Sequence, residues 1–168
     1  MKKLFCLVFA LLLPLSALTG CAKNETADVS MYALSRAMLA AMETQDTMLY
    51  VSASDGDAEE KFAYVSDMDY GDVKDFFLLY AENGKGNADE IAVIAVKNLR
   101  DAAKAEASLG THLSRRETLY KSYDPSQLYK LENAVLDTVN GLCVLIVAEN
   151  PAAVKAAFDA FLAENGAG

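Results

Sequence analysis

Apolar positions recur at steps of three and four between Val29 and Glu43, where Met31, Leu34, Met38, Ala41 and Met42 line one face of a predicted helix. Ser30 or Asp28 is placed to cap it. Ser52 to Glu60 is polar and acidic and reads as a loop, and Phe62–Val65 reads as a short strand or turn. Asp69-Tyr70-Gly71-Asp72 predicts a helical turn capped by Asp69, ahead of the buried strand Phe76–Tyr80. Asn83-Gly84-Lys85-Gly86-Asn87 has the composition of a hairpin connection to a returning strand, Ile91–Val96.

A long helix is predicted from about Leu99 to Ser122, with Asn98 as its N-cap and Leu99, Ala102, Ala105, Leu109, Leu113 and Tyr120 on its apolar face. Tyr123-Asp124-Pro125 ends it, because the residue before a proline disfavours helix. Gln127–Lys130 adds at most a further turn. Ala134–Val139 and Leu142–Val147 flank Asn140-Gly141, a strong tight-turn signal. Asn150-Pro151 opens a last helix, a cap followed by proline at the first position, with Val154, Phe158, Phe161 and Leu162 inward.

The elements define an α+β fold: a four-stranded, mostly antiparallel sheet with helices on one face, in the order α-β-β-α-β-β-α. Setting Ile91–Val96 against Leu142–Val147 also sets Ala102, Lys104 and Ala105 against Ala153, Lys155 and Ala156. An internal ββα duplication and a chance likeness of apolar strands leading into Ala-rich helices both account for this.

The start of the chain changes the picture. Met1-Lys2-Lys3 is basic, and Leu4–Leu18 is almost unbroken in its apolarity, shorter than the roughly twenty residues a membrane-spanning helix needs and interrupted by Pro14. This is the pattern of an export signal over residues 1–20. Its end, Leu18-Thr19-Gly20-Cys21, resembles the lipobox of bacterial lipoproteins. That resemblance implies cleavage before Cys21 and attachment of a diacylglycerol to its sulfur. Two acyl chains suffice for stable anchoring. Residues 21–28 then form a short tether, the seven from Ala22 to Asp28 reaching about 25 Å at most, and residues 29–168 form one domain. The expected location is the outer face of the cell membrane, lipid-anchored.

Composition adds constraints. The 168 residues carry 24 acidic and 15 basic side chains, one histidine and three cysteines. Loss of residues 1–20 removes Lys2, Lys3 and Cys6, leaving 148 residues with 13 basic and 24 acidic side chains, net −11. Such acidity argues against a nucleic-acid partner. With Cys21 lipidated, Cys143 has no partner for a disulfide, and its apolar surroundings make it a small buried hydrophobe rather than a reactive thiol.

Candidate chemistry is sparse. His112 lies in the long helix beside Arg115 and Arg116 and reads as a surface histidine, since no nucleophile motif accompanies it, although Ser108 is one turn away. Asp55–Glu60 and Asp67–Asp72 lack the glycine and glutamate of a calcium loop and read as a solvated loop and a cap. Gly84-Lys85-Gly86 joins two strands, not a strand and a helix, so it is no phosphate loop. No catalytic residue, metal ligand or cofactor is assigned. Tyr120, Tyr123 and Tyr129 cluster about the end of the long helix, as an aromatic interaction surface or as tyrosines capping the core.

Three further stretches carry a family likeness. Asn87-Ala88-Asp89-Glu90-Ile91-Ala92-Val93, Tyr123-Asp124-Pro125-Ser126-Gln127-Leu128-Tyr129 and Leu131-Glu132-Asn133-Ala134-Val135, with the Gly141 hairpin, resemble a family of uncharacterised Firmicute lipoproteins classed as a domain of unknown function. The likeness runs from about Tyr70 to Leu162 and brings no activity with it. The expectation is a non-catalytic binding or accessory domain of the cell envelope, with a protein or glycan partner. The alternative is a hydrolase or transferase acting on envelope polymers through carboxylates, for which a buried pair of carboxyls with raised pKa values is required.

Overall fold

A computed structural model describes residues 26–44, 47–82 and 87–168. The leader, Cys21 and residues 83–86, where a hairpin connection is expected from the sequence, lie outside the described residues.

Two strands dictate the architecture. β3 (Glu90–Val96) and β5 (Leu142–Val147) are buried at every position, so water reaches neither side of them. Strands buried on both faces occupy the middle of a sheet, and both of its faces must be covered. They pair antiparallel at the centre of a five-stranded sheet of order β1-β2-β3-β5-β4. β2 (Val73–Ala81) and β4 (Val135–Val139) flank them, and β1 (Met48–Ser52) forms one edge. All neighbouring pairs are antiparallel.

One face is sealed by α1 (Met31–Ala40) and α5 (Pro151–Glu164), which pack Leu34, Met38, Val154, Phe158 and Leu162 onto Phe77, Ile91, Val93 and Val144. The other carries α2 (Ala58–Val65), α3 (Ala102–Tyr123) and α4 (Leu128–Glu132), with Phe62, Ala105, Leu109 and Leu131 against Phe76, Ala92, Ile94 and Leu145.

Local chemistry explains the ends of these elements. The Ser30 hydroxyl accepts from Ala33 N–H at the start of α1, and Asn150 does the same for Ala153 at the start of α5. Asp69 caps the 3₁₀ turn Tyr70–Asp72 by accepting from Gly71 N–H. At the β4–β5 turn Asn140 and Gly141 both have positive φ, 48° and 83°, as a type I′ turn requires. Gly141 serves a second purpose, because a Cβ there would collide with the Thr26 hydroxyl and a methyl of Leu99. Thr26 is itself buried and donates to Val96 C=O, so the domain's packing begins upstream of α1.

The α+β class, the antiparallel sheet and the Asn140-Gly141 hairpin agree with the sequence. Three expectations are corrected. The sheet has five strands, not four. The fifth, β1, is only five residues long and bonds to a single neighbour, so it lacks the long apolar run that marks an interior strand. Residues 62–65 are neither strand nor turn but the end of α2, which starts inside the acidic stretch with Glu59 and Glu60 in its first turn, where carboxylates favour the helix dipole. Helices cover both faces, not one.

The proposed ββα alignment maps Val93 onto Val144, and those residues pair across the β3–β5 ladder. A local two-fold through that pair relates the strands. The helices that follow break it, α3 and α5 lying on opposite faces.

Candidate functional site

On the α3 face the core is interrupted by charge. β3 begins at Glu90, whose side chain is on the same side of the sheet as Ala92 and Ile94. α3 presents Ala105, Leu109, His112, Arg116 and Tyr120 along one inward stripe at steps of three and four. The stripe is apolar at its start, then supplies an imidazole and a guanidinium where Glu90 meets it.

His112 Nε2 lies 2.8 Å from Glu90 Oε1, and Arg116 Nη1 lies 3.2 Å from Glu90 Oε2. The three side chains are only 8–15% exposed. Arg116 Nη2 also donates to Ala88 C=O at 3.0 Å, while Nη1, fully buried, is held by charge without an aligned hydrogen bond. The guanidinium stands 5.6 Å from the centre of the Tyr120 ring, a cation–π distance, and Tyr120 donates its hydroxyl proton to Asn87 C=O. Burial pushes the Glu90 carboxyl up, but the Arg116 charge and the His112 bond outweigh it and hold the group below the usual carboxylate range.

The preceding residue faces another cation. Asp89 Oδ1 accepts from Lys130 Nζ of α4 at 2.8 Å, with 2% and 9% of the two side chains exposed. Asn87 bridges them, donating to Asp89 and accepting from Lys130. Gln127 Oε1 takes the Ala88 N–H at 3.2 Å. Residues 87–90, the entry to β3, are thus fastened from α3, α4 and the turn between them.

Above Glu90, His112 and Arg116 opens a pocket of about 400 Å³. Leu78 and Tyr80 of β2, Tyr64 and Val65 of α2 and Leu119 of α3 wall it, and Lys61 stands at the mouth. Tyr64 and Leu119 are 71% and 60% exposed, so the pocket's outer wall is open to solvent.

His112 is therefore not a surface histidine. It belongs to a buried ion cluster, and its neighbour Ser108 does not join it. Ser108 instead donates to Asp67 Oδ1 at 2.6 Å, accepts the Asp67 N–H and meets Ser66 Oγ at 2.8 Å, tying the end of α2 to α3. That bond lowers the Asp67 carboxyl below its usual range. Ser108 with Asp67 and His112 with Glu90 fall into two separate clusters, and no triad forms among the described residues.

Of the three tyrosines, Tyr120 and Tyr123 are in edge-to-face contact at 6.2 Å, the first buried and lining the pocket, the second exposed. Tyr129 stands apart, bonded to Glu149, which pushes its phenol up to about 12. Cys143 is wholly buried, burial pushes its thiol up, and it donates to Ala102 C=O at 3.3 Å. Among the described residues no group of His, Cys, Asp and Glu is placed to hold a metal ion. Asp55 and Asp57 serve local bonds to Ser52 N–H and Lys61.

Fold and site together define a class: a small antiparallel α+β domain, helix-covered on both faces, with a charged cluster under a side pocket. The chain belongs to the DUF4358 family, a domain of unknown function, whose profile matches residues 45–148. That span holds all five strands and every residue of the pocket; α1 and α5 lie outside it. No curated protein and no solved structure matches the chain.

Proposed function

We propose that this protein is a lipid-anchored, extracytoplasmic binding or accessory domain of the cell envelope, which holds a small ligand or a partner's side group in the pocket above Glu90. The anchoring half rests on the leader and on Leu18-Thr19-Gly20-Cys21, with Cys21 carrying the lipid, as in the Firmicute lipoproteins the chain resembles. No helix among the described residues is long and apolar enough to cross a membrane, so an attached lipid is the anchor this reading requires.

One observation carries the binding half. The pocket's acids are already paired, Glu90 with the Arg116 charge and a bond to His112, and Asp89 with Lys130. A general acid at neutral pH needs a carboxyl pushed up, and Glu90 is pulled down. This supports recognition over carboxylate chemistry on envelope polymers. Tyr123, exposed beside Tyr120, extends the aromatic rim toward a partner.

Two experiments test the halves separately. The full chain should fractionate with membranes and incorporate labelled fatty acid, and Cys21→Ala should do neither; a variant that is still processed and membrane-bound overturns the anchor. For binding, a photoreactive residue replacing Leu119 should give a discrete mass adduct in intact cells, while one replacing the exposed Glu164, on the helix that covers the opposite face of the sheet, should not. Absence of an adduct at position 119 overturns the binding reading.

A further inference from the structure

We propose that the pocket is a site for a small organic acid, a carboxylate carried on an aromatic or branched aliphatic body. The inference rests on the binding reading above and adds the chemistry of the ligand.

The cavity, about 400 Å³, has the size and make-up of a small-molecule site, apolar walls around a few convergent polar groups. Tyr64, Tyr80, Leu78, Val65 and Leu119 supply the walls. They suit a flat ring or a branched chain and offer nothing to a strongly hydrated polyanion.

The polar groups decide the head of the ligand. The Glu90 charge is matched, with Oε1 bonded to His112 and Oε2 paired with the Arg116 guanidinium. Asp89 is spent on Lys130 and Asn87. One lining cation, Lys61, is left loosely held. Arg116 is committed to Glu90 and to Ala88 C=O, and its unbonded Nη1 is buried out of a ligand's reach. His112 bonds Glu90 through Nε2, so in the neutral ring Nδ1 is an acceptor and adds no donor. Lys61 at the mouth is held only across a half-exposed contact to Asp57, of a kind that contributes little. With Glu90 and Asp89 matched by Arg116 and Lys130, the loosely held charge among the described lining residues is the Lys61 ammonium, which selects a ligand that brings acceptor oxygens and negative charge. A carboxylate does so with a single charge, and the apolar walls accept the rest.

The test uses the untagged full chain in detergent micelles and three probes of one shape: phenylacetate, 2-phenylethanol and 2-phenylethylamine. His112 is the only histidine in the sequence, so its ring resonances report on the pocket without further assignment. Phenylacetate should shift them saturably and bind at least about tenfold more tightly than the alcohol, as a charge-assisted bond implies. Lys61→Gln, a change at the exposed mouth, should weaken phenylacetate severalfold while leaving the thermal midpoint unchanged. Acetyl-Ala-Phe and its C-terminal amide separate the two sources of such a carboxylate. Tighter binding of the peptide acid than of phenylacetate assigns it to a peptide end, and weaker binding assigns it to a free acid. Equal binding of the alcohol, tighter binding of the amine, or three probes that leave His112 unmoved overturn the acid. An adduct at position 119 beside any of those results leaves the binding reading standing, so the two failures are told apart.

Discussion

The two faces of the sheet solve the same burial problem by different means. Beneath α1 and α5 no buried charge interrupts the contact: apart from Ser35, bonded within its own helix, it is methionine, leucine, valine and phenylalanine against the odd-numbered positions of β3 and their partners in β5. Beneath α2, α3 and α4 the same strands meet a core that is apolar at one end and ionic at the other, where Glu90, His112, Arg116, Asp89 and Lys130 are buried or nearly so. Burying ions costs more than burying hydrocarbon unless every charge is matched, and the gain over a packed apolar pair is often nil. A fold that needed only stability would finish both faces alike. The ionic end lies under the pocket and within the family-matched span, whereas α1 and α5 lie outside that span. One face is closed by hydrocarbon; the other carries the ion pairs beneath the pocket for which binding is proposed.

The sharpest way to break this contrast is to unpair a charge. Lys130→Met leaves the Asp89 carboxylate buried without its cation and should cost about 3–5 kcal/mol in denaturant unfolding. Adding Asp89→Leu should restore at least half of that loss, since the desolvated charge is then gone. A Lys130→Met cost below about 1 kcal/mol would mean the pair is no more than a surface contact. Phe158→Ala on the opposite face should cost a similar 3–5 kcal/mol through a cavity. No second polar-to-apolar change should rescue it, because the loss is of volume and not of charge balance. Gly141→Ala comes next, about 1–3 kcal/mol from positive φ, with the further collision at Thr26 and Leu99.

The apolar face was largely legible in the sequence, and the ionic one was not. α1, α5 and the β4–β5 hairpin follow from Met31-Leu34-Met38, from Asn150-Pro151 with Val154 and Phe158, and from Asn140-Gly141. Each signal lies within a few residues of the element it sets. The continuous runs Ile91–Val96 and Leu142–Val147 already contained the fact that both faces are covered, since a strand wet on one side alternates and these do not. β1 and α2, at five and eight residues, were too short for either period to declare itself. The site depends on pairs separated by 22 and 41 positions, Glu90 with His112 and Asp89 with Lys130, and no local pattern reports such a partner. One clue was present. His112 and Arg116 continue the inward stripe of Ala105 and Leu109 toward Tyr120, and polar residues on an inward stripe imply a buried counter-charge.

The smallest expected effect is one of slope rather than of size, and it concerns Glu90. Its carboxyl is held below the ordinary 4.5 in the folded protein. In the interval between the two values the unfolded chain binds the proton and the folded protein does not, so stability rises with pH there. The contribution is therefore complete above about 4.5 and is lost as pH falls through the folded value. Asp67 and Asp137 are lowered too, so the parent protein's acid limb is a sum of several groups. Glu90→Gln keeps the shape and a hydrogen-bond acceptor for His112 but cannot titrate. Its unfolding free energy, measured from pH 7 down to pH 3, should fall less steeply below 4.5 than that of the parent. Phe158→Ala, destabilised on the other face, should keep the parent's slope at a lower level. Equal slopes for Glu90→Gln and the parent would mean that Arg116 and His112 do not hold the carboxylate ionised, and the ionic character assigned to this face would rest on Asp89 and Lys130 alone.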